Sequence, residues 1–221
     1  MKIGELKKQV GFGLERRLDG FKFYRSKLLL KKEYSYGWQA LWIDLHWSGA
    51  PGNAKLVANA HLRIEAIAQL CHPYSLSVQR EPKYEKERPT IGENCDNLFS
   101  DASLIHSFPS DPDSVEQFLD RYVEGLKTDI LPFLDKYSDE NALFEGFIDP
   151  KPINWITGSW FGRFTILMAI SVRRGNREAF EGYAKEFLEY CDDPLVSNYM
   201  PDAEAMIDGL RGEFEKREAS S

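Results

Sequence analysis

Cysteine is scarce in this chain, and a long hydrophobic run is missing altogether. Cys71, Cys95 and Cys191 are the only cysteines in 221 residues, and no two are spaced C-x-x-C. A cysteine-built zinc site is therefore not expected, and the three read as reduced, structural thiols. The longest apolar stretch runs from Phe164 to Val172 and is broken by Thr165 and Ser171. A bilayer-spanning helix needs about 20 such residues. The opening Met1-Lys2-Ile3-Gly4-Glu5-Leu6-Lys7-Lys8 is charged and carries no apolar segment, so a cytoplasmic protein is expected.

Catalytic signatures are also lacking. There is no G-x-x-x-x-G-K-[ST] phosphate loop and no H-E-x-x-H. Gly11-Phe12-Gly13 lacks a third glycine and a preceding strand. A nucleophile elbow centred on Ser159 would need glycines at 157 and 161, where Thr157 and Phe161 stand. No cofactor and no bound metal ion is expected.

Net charge is -7, which argues against a nucleic-acid partner, since binding phosphates requires a surplus of cations. The charge is unevenly spread. Residues 1–32 hold ten Lys/Arg against three Asp/Glu, whereas residues 93–154 hold four against fourteen. Either the basic start folds beside the acidic middle, or the acidic middle receives a basic partner.

Among the features present, the run Trp38-Gln39-Ala40-Leu41-Trp42-Ile43-Asp44-Leu45-His46-Trp47 stands out. A strand sends alternate side chains to opposite faces. One face then carries Leu41, Ile43, Leu45 and Trp47, the other Trp38, Trp42, Asp44 and His46. Lys55 to Ile64 alternates likewise, with Asn59, His61 and Arg63 on its polar side. With turns at Tyr34–Gly37 and Gly49–Asn53, and a β-rich run from Phe21 to Glu33, this predicts an antiparallel meander. Before it, Leu6, Val10, Leu14 and Leu18 mark a helix over Glu5 to Leu18, despite Gly11 and Gly13. Residues 73–112 are irregular and rich in proline, with a possible fourth strand at Leu98 to Phe108.

From Asp111 the periodicity becomes helical. Asp111-Pro112 and Ser114-x-x-Gln117 read as a helix start, and Pro132 should kink or split the helix that follows. Further helices are expected near Asp139–Phe147, Thr157–Arg174 and Pro201–Lys216, with another after a cap at Asn176. Gly175-Asn176-Arg177-Glu178-Ala179 looks like a tetratricopeptide-type turn, but one hairpin is not a repeat array. The aromatic residues around Trp155 and Trp160 read as core, and His72 and His106 as loop histidines.

Three segments carry a family resemblance: Gly20-Phe21-Lys22-Phe23-Tyr24, Arg88-Pro89-Thr90-Ile91-Gly92 and Ile130-Leu131-Pro132-Phe133-Leu134-Asp135-Lys136-Tyr137. Together they resemble a bacterial domain-of-unknown-function family, across most of residues 1–190. The family's Arg-Ile-Gly element is here interrupted by Pro89-Thr90. Some members are thought to be immunity proteins against secreted toxins. The resemblance implies no catalytic residues.

The expectation is a single α+β domain. Residues 1–110 supply a helix, a three- to four-stranded antiparallel sheet and an irregular loop, and residues 111–221 a helical half packed on it. The leading functional reading is a non-catalytic cytoplasmic binding module, of immunity type, for a protein partner such as a basic toxin. Its candidate binding residues are the acidic Asp111, Asp113, Glu116 and Asp120, and the sheet face with Trp38, Trp42, Asp44, His46 and His61. The alternatives are a hydrolase, metal-dependent or acid–base, built on Asp44, His46 and His61, and a helical adaptor using Thr157 to Lys216.

Overall fold

A computed structural model describes residues 3–47, 54–75, 79–106, 108–109, 112–148 and 160–219. The expected turn at Gly49–Asn53, the cap at Asp111, and Trp155 and Thr157 lie outside the described residues. The elements are α1 (Ile3–Glu15), β1 (Lys22–Tyr24), β2 (Leu29–Tyr34), β3 (Gly37–Trp47), β4 (Ala54–Ile64), α2 (Glu65–Cys71), β5 (Ile91–Asn94), α3 (Ser103–His106), α4 (Pro112–Gly125), α5 (Leu131–Ser138), α6 (Glu140–Ile148), α7 (Trp160–Arg173), α8 (Arg177–Cys191) and α9 (Met200–Glu218). The fold is α+β: an N-terminal helix, one antiparallel sheet and a helical C-terminal half. No described helix is long and apolar enough to cross a membrane.

The sheet has five strands in the order β1-β2-β3-β4-β5, not three or four. Two local effects account for the difference. The run from Phe21 to Glu33 folds on itself, pairing Lys22 with Lys31 and Tyr24 with Leu29. The short strand β5 has no apolar alternation to announce it, since Gly92, Glu93 and Asn94 make up most of it. Leu98 to Phe108, the candidate fourth strand, holds α3 instead, and among its described residues keeps only an isolated bridge from Phe108 to Ala54. Asp101 Oδ1 accepts from the Ser103 N–H at 2.9 Å, a local side-chain bond that starts a helix rather than extending a strand.

The chain forms two compact units, 1–62 with 92–139, and 63–91 with 140–221. In the first, Leu6, Val10 and Leu14 of α1 are buried, as are Leu41, Ile43 and Leu45 of β3 and Leu119 and Tyr122 of α4. Gly11 and Gly13 weaken α1 intrinsically but mark where it meets its neighbours. A Cβ on Gly11 would fall 2.1 Å from the Phe23 ring, and one on Gly13 would fall 2.6 Å from Leu119 Cδ1. Gln39, fully buried, spends its amide well: Nε2 donates to Asp135 Oδ1 at 2.7 Å and to Tyr36 Oη at 3.0 Å, and Oε1 accepts from Tyr34 at 3.2 Å. The expected split falls just before Pro132, which stands in the first turn of α5. The turns Leu126–Ile130 just before it widen to π-type hydrogen bonding, which accommodates a residue with no N–H.

In the second unit α7 is buried along most of its length, and α8 packs against it, with Phe180, Ala184, Phe187 and Cys191 of α8 buried. Gly175 adopts φ +66° after α7, and Asn176 Oδ1 accepts from the Ala179 N–H at 3.0 Å to start α8.

Candidate interaction surface on the sheet

Alternation along β3 and β4 produces the surface. The side chains of Trp42, Asp44 and His46 point away from the Leu41–Ile43–Leu45 core. With Lys7, Leu28, Ile43, Val57 and Asn59 they line a groove of about 390 Å³. Trp42 is half exposed, and its indole N–H donates to the Lys27 carbonyl at 2.7 Å, which holds the ring in place. The adjoining turn is strained. Leu28 adopts φ +50°, a region costly for any residue with a branched side chain, and its carbonyl accepts from the Ile43 N–H at 3.0 Å. The turn is thus bonded to β3 through the Trp42 side chain and the Ile43 main chain.

Asp44 carries the groove's fixed charge. Lys7 pairs with one oxygen, and the Leu45 N–H donates to the same atom at 2.8 Å. Partial burial raises the carboxyl's pKa, but the Lys7 bond, the Leu45 N–H and the neighbouring His46 outweigh it, so the group titrates below its ordinary value. His46 Nε2 stands 3.6 Å from the other oxygen and is largely exposed. His61 takes a different position. Its ring meets Trp42 edge-on at 5.8 Å, with the Gly92 backbone on another side, and burial lowers its pKa. His61 does not line the groove. Among the described residues no group of three His, Cys, Asp or Glu side chains is placed to hold a metal ion.

Two expected members of this face are not presented on it. Trp38 is 6% exposed, with the Lys31 ammonium 4.9 Å above its ring. Arg63 is 1% exposed and belongs to the other unit. Neither Lys7 nor Leu28 was singled out by pattern. Lys7 lies off the apolar stripe of α1, and no glycine marks the positive φ at residue 28.

The acidic candidates are distributed over α4 and its start. Asp111 lies outside the described residues, as does the side chain of Asp113. Glu116 and Asp120 both accept from Arg17, each at 2.7 Å, and Arg16 stands 3.9 Å from Glu116. The basic start of the chain therefore folds beside this part of the acidic middle and offsets its charge.

His72 is buried, not a loop histidine on the surface. Its Nδ1 lies 3.4 Å from Arg63 Nη1, so the ring accepts there and keeps its proton on Nε2. Burial, then the charges of Arg63 and Arg88, push its pKa down to about 4. The sign of the pH effect follows. Between the unfolded value near 6.5 and the folded value near 4, the unfolded chain takes up a proton that the folded chain refuses. The contribution of His72 to stability is therefore complete above pH 6.5 and declines as the pH falls toward about 4. Urea midpoints measured between these limits should fall with pH in the native chain and fall less steeply in His72→Gln. Equal slopes would show that His72 does not set this dependence.

The three cysteines are buried free thiols. Burial pushes Cys71 up to about 12 and Cys95 higher still, so neither is a ready nucleophile at neutral pH.

No protein-family model matches the chain, and no curated protein and no solved structure matches it either.

Proposed function

We propose that the chain is a non-catalytic protein-binding module, working in the cytoplasm, whose binding surface is the Trp42 groove. The observation that carries this reading is the half-exposed Trp42, hydrogen-bonded through its indole N–H and flanked by Asp44, His46 and Asn59. A fixed, amphipathic aromatic ring beside polar groups is the kind of residue on which interface energy concentrates. The strained Leu28 turn that holds it supports the same reading, since strain tends to be kept at working sites. An immunity-type role is the form of this reading that the family resemblance implies, with a toxin as partner. Acidic residues of α4 would then speed capture of a basic partner. Their pull is reduced by Arg17, which engages Glu116 and Asp120. The groove rather than the acidic helix is therefore the proposed centre of the interface.

The test is capture of a stoichiometric protein from source-cell lysate by the immobilised chain, followed by titration of that protein against Trp42→Ala. The expected loss is at least about 2 kcal/mol, roughly 30-fold in Kd, with folding retained. Affinity unchanged in Trp42→Ala but lost on charge reversal along α4 would move the interface to the acidic helix. Failure to retain any protein at low or high salt counts against the module reading itself.

A further inference from the structure

The face that carries Trp42 extends over the neighbouring strands of the first unit. Register sets Tyr24 opposite Leu29 and Leu29 opposite Trp42, so the three stand in one row across β1, β2 and β3. Tyr24 is 44% and Trp42 50% exposed. Adjacent strands lie about 4.8 Å apart, which makes the row about 10 Å long. The next row on the same face sets Lys22 opposite Lys31. Arg25 sits in the turn that joins β1 to β2, the same turn that holds the Trp42 indole through the Lys27 carbonyl.

Charge on this part of the sheet is not balanced. Residues 21–34 hold five Lys/Arg against one Glu. The carboxylates around it are already engaged. Glu33 pairs with Lys31 at 2.6 Å, Asp44 pairs with Lys7, and Glu15 Oε1 accepts from the Phe23 N–H at 2.8 Å. Lys32 lies over the rings of Phe21 and Tyr34. Lys22 and Arg25 are both exposed, and neither makes an ion pair among the described residues. Lys22 also faces Lys31 across the strands, and like charges set opposite each other destabilise a sheet.

We propose that this face receives an acidic segment of a protein partner, an inference that rests on the Trp42 groove being the binding surface. An apolar or aromatic side chain of the segment lies along the Tyr24–Leu29–Trp42 row, and flanking carboxylates pair with Lys22 and Arg25. The partner is then acidic where it touches, whatever its net charge. Complementary charge fixes the register of such a contact, and an Arg fork matches a carboxylate in both geometry and charge. Recognition runs through side chains. At the edge of the sheet the Phe23 N–H is spent on Glu15, so an added strand would find that donor taken. An anionic lipid surface fits less well, because two cations without ion pairs fall short of the about four to eight that such binding uses.

The experiment selects a displayed library of random dodecapeptides on the full chain. Enriched sequences should carry more Asp and Glu than Lys and Arg, together with an aromatic or long aliphatic residue. The most enriched peptide is then synthesised and titrated. The double variant Lys22→Glu, Arg25→Glu changes two exposed side chains that make no ion pair, so it should fold as the native chain does. It should bind the peptide at least about 10-fold more weakly. Trp42→Ala should weaken binding about 30-fold. Enrichment of basic peptides that need Trp42 would overturn the acidic partner and leave the groove reading standing. Acidic peptides indifferent to Trp42→Ala would overturn the groove reading and this inference with it. A Kd unchanged in the double variant, no enrichment at all, or binding to phosphatidylserine vesicles in place of peptides would each overturn the proposal.

Discussion

Arg63→Met is expected to lower the unfolding free energy by about 3–5 kcal/mol. The Arg63 side chain is 2% exposed and, besides His72, serves three groups at once. Nε and Nη2 donate to the Glu65 carboxylate at 2.7 and 3.2 Å, and Nη1 donates to the carbonyls of Glu85 at 2.7 Å and Arg88 at 3.0 Å. Those carbonyls belong to a segment with little regular structure of its own. Its 3₁₀ turns at Pro82–Glu87 have no side-chain cap at their start. Methionine fills a similar volume but leaves the Arg88 carbonyl and His72 Nδ1 without the donor that Arg63 supplies, at about 1–3 kcal/mol each, and leaves the Glu85 carbonyl with only the Arg88 N–H at 3.2 Å. The bond to Glu65 adds little, because that side chain is 44% exposed and water replaces its partner. Glu65→Gln should therefore cost less than about 1 kcal/mol, and Arg63→Lys should recover less than half of the loss, since an ammonium cannot span the fork. Urea unfolding measures all three. A loss under about 1 kcal/mol in Arg63→Met would show that the 82–88 segment holds itself together.

Arg63 also shows where sequence reading stops. Period-two alternation identified β3 and β4 and sorted their faces correctly from Leu41 onward in β3 and through Leu62 in β4. Arg63 continues that alternation on the polar side, yet the last three residues of β4 are all buried. A strand buried on both faces at one end looks, in sequence, like a strand that is wet on one face. What covers Arg63 is a segment more than twenty residues away, held by main-chain carbonyls that no residue type announces. His72, buried and 3.4 Å from Arg63 Nη1, is hidden from sequence in the same way. The sheet surface was half legible. Trp42, Asp44 and His46 lie where alternation places them, whereas Trp38 is buried in company with Lys31 and His61 is packed against Trp42. Helix ends set by local bonds, such as the Asn176 cap, were readable from a few adjacent residues. Strand β5 was not, because short strands defined by their neighbours carry no pattern of their own.

Phe187→Ala is expected to cost about 3–5 kcal/mol, as for other fully buried aromatic rings cut back to a methyl group. Phe187 is 0% exposed on the inner face of α8. Its ring meets Phe161 edge-on at 5.0 Å and stacks on Phe164 at 5.3 Å, so two aromatic rings of α7 lose a partner together. Each such pair contributes about 0.5–1.5 kcal/mol beyond the area it buries. The void cannot close easily. Phe164 is itself held at 3% exposure, and the flanking positions Ala184 and Cys191 are too small to fill it. Phe187→Leu keeps most of the volume and loses only the ring geometry, so its cost should be roughly 1–2 kcal/mol. In urea the alanine variant should unfold at a midpoint lower by more than about 1 M, with the leucine variant between it and the native chain. If leucine proves as damaging as alanine, ring geometry rather than cavity volume sets the packing of α7 on α8. If alanine costs under about 1 kcal/mol, the α7–α8 contact does not hold this unit together. Phe161 also lines a cleft within this unit, with Ile166 and Met206. Phe187→Ala should therefore loosen the cleft along with the fold, and the leucine variant, which keeps Phe161 backed, should spare both.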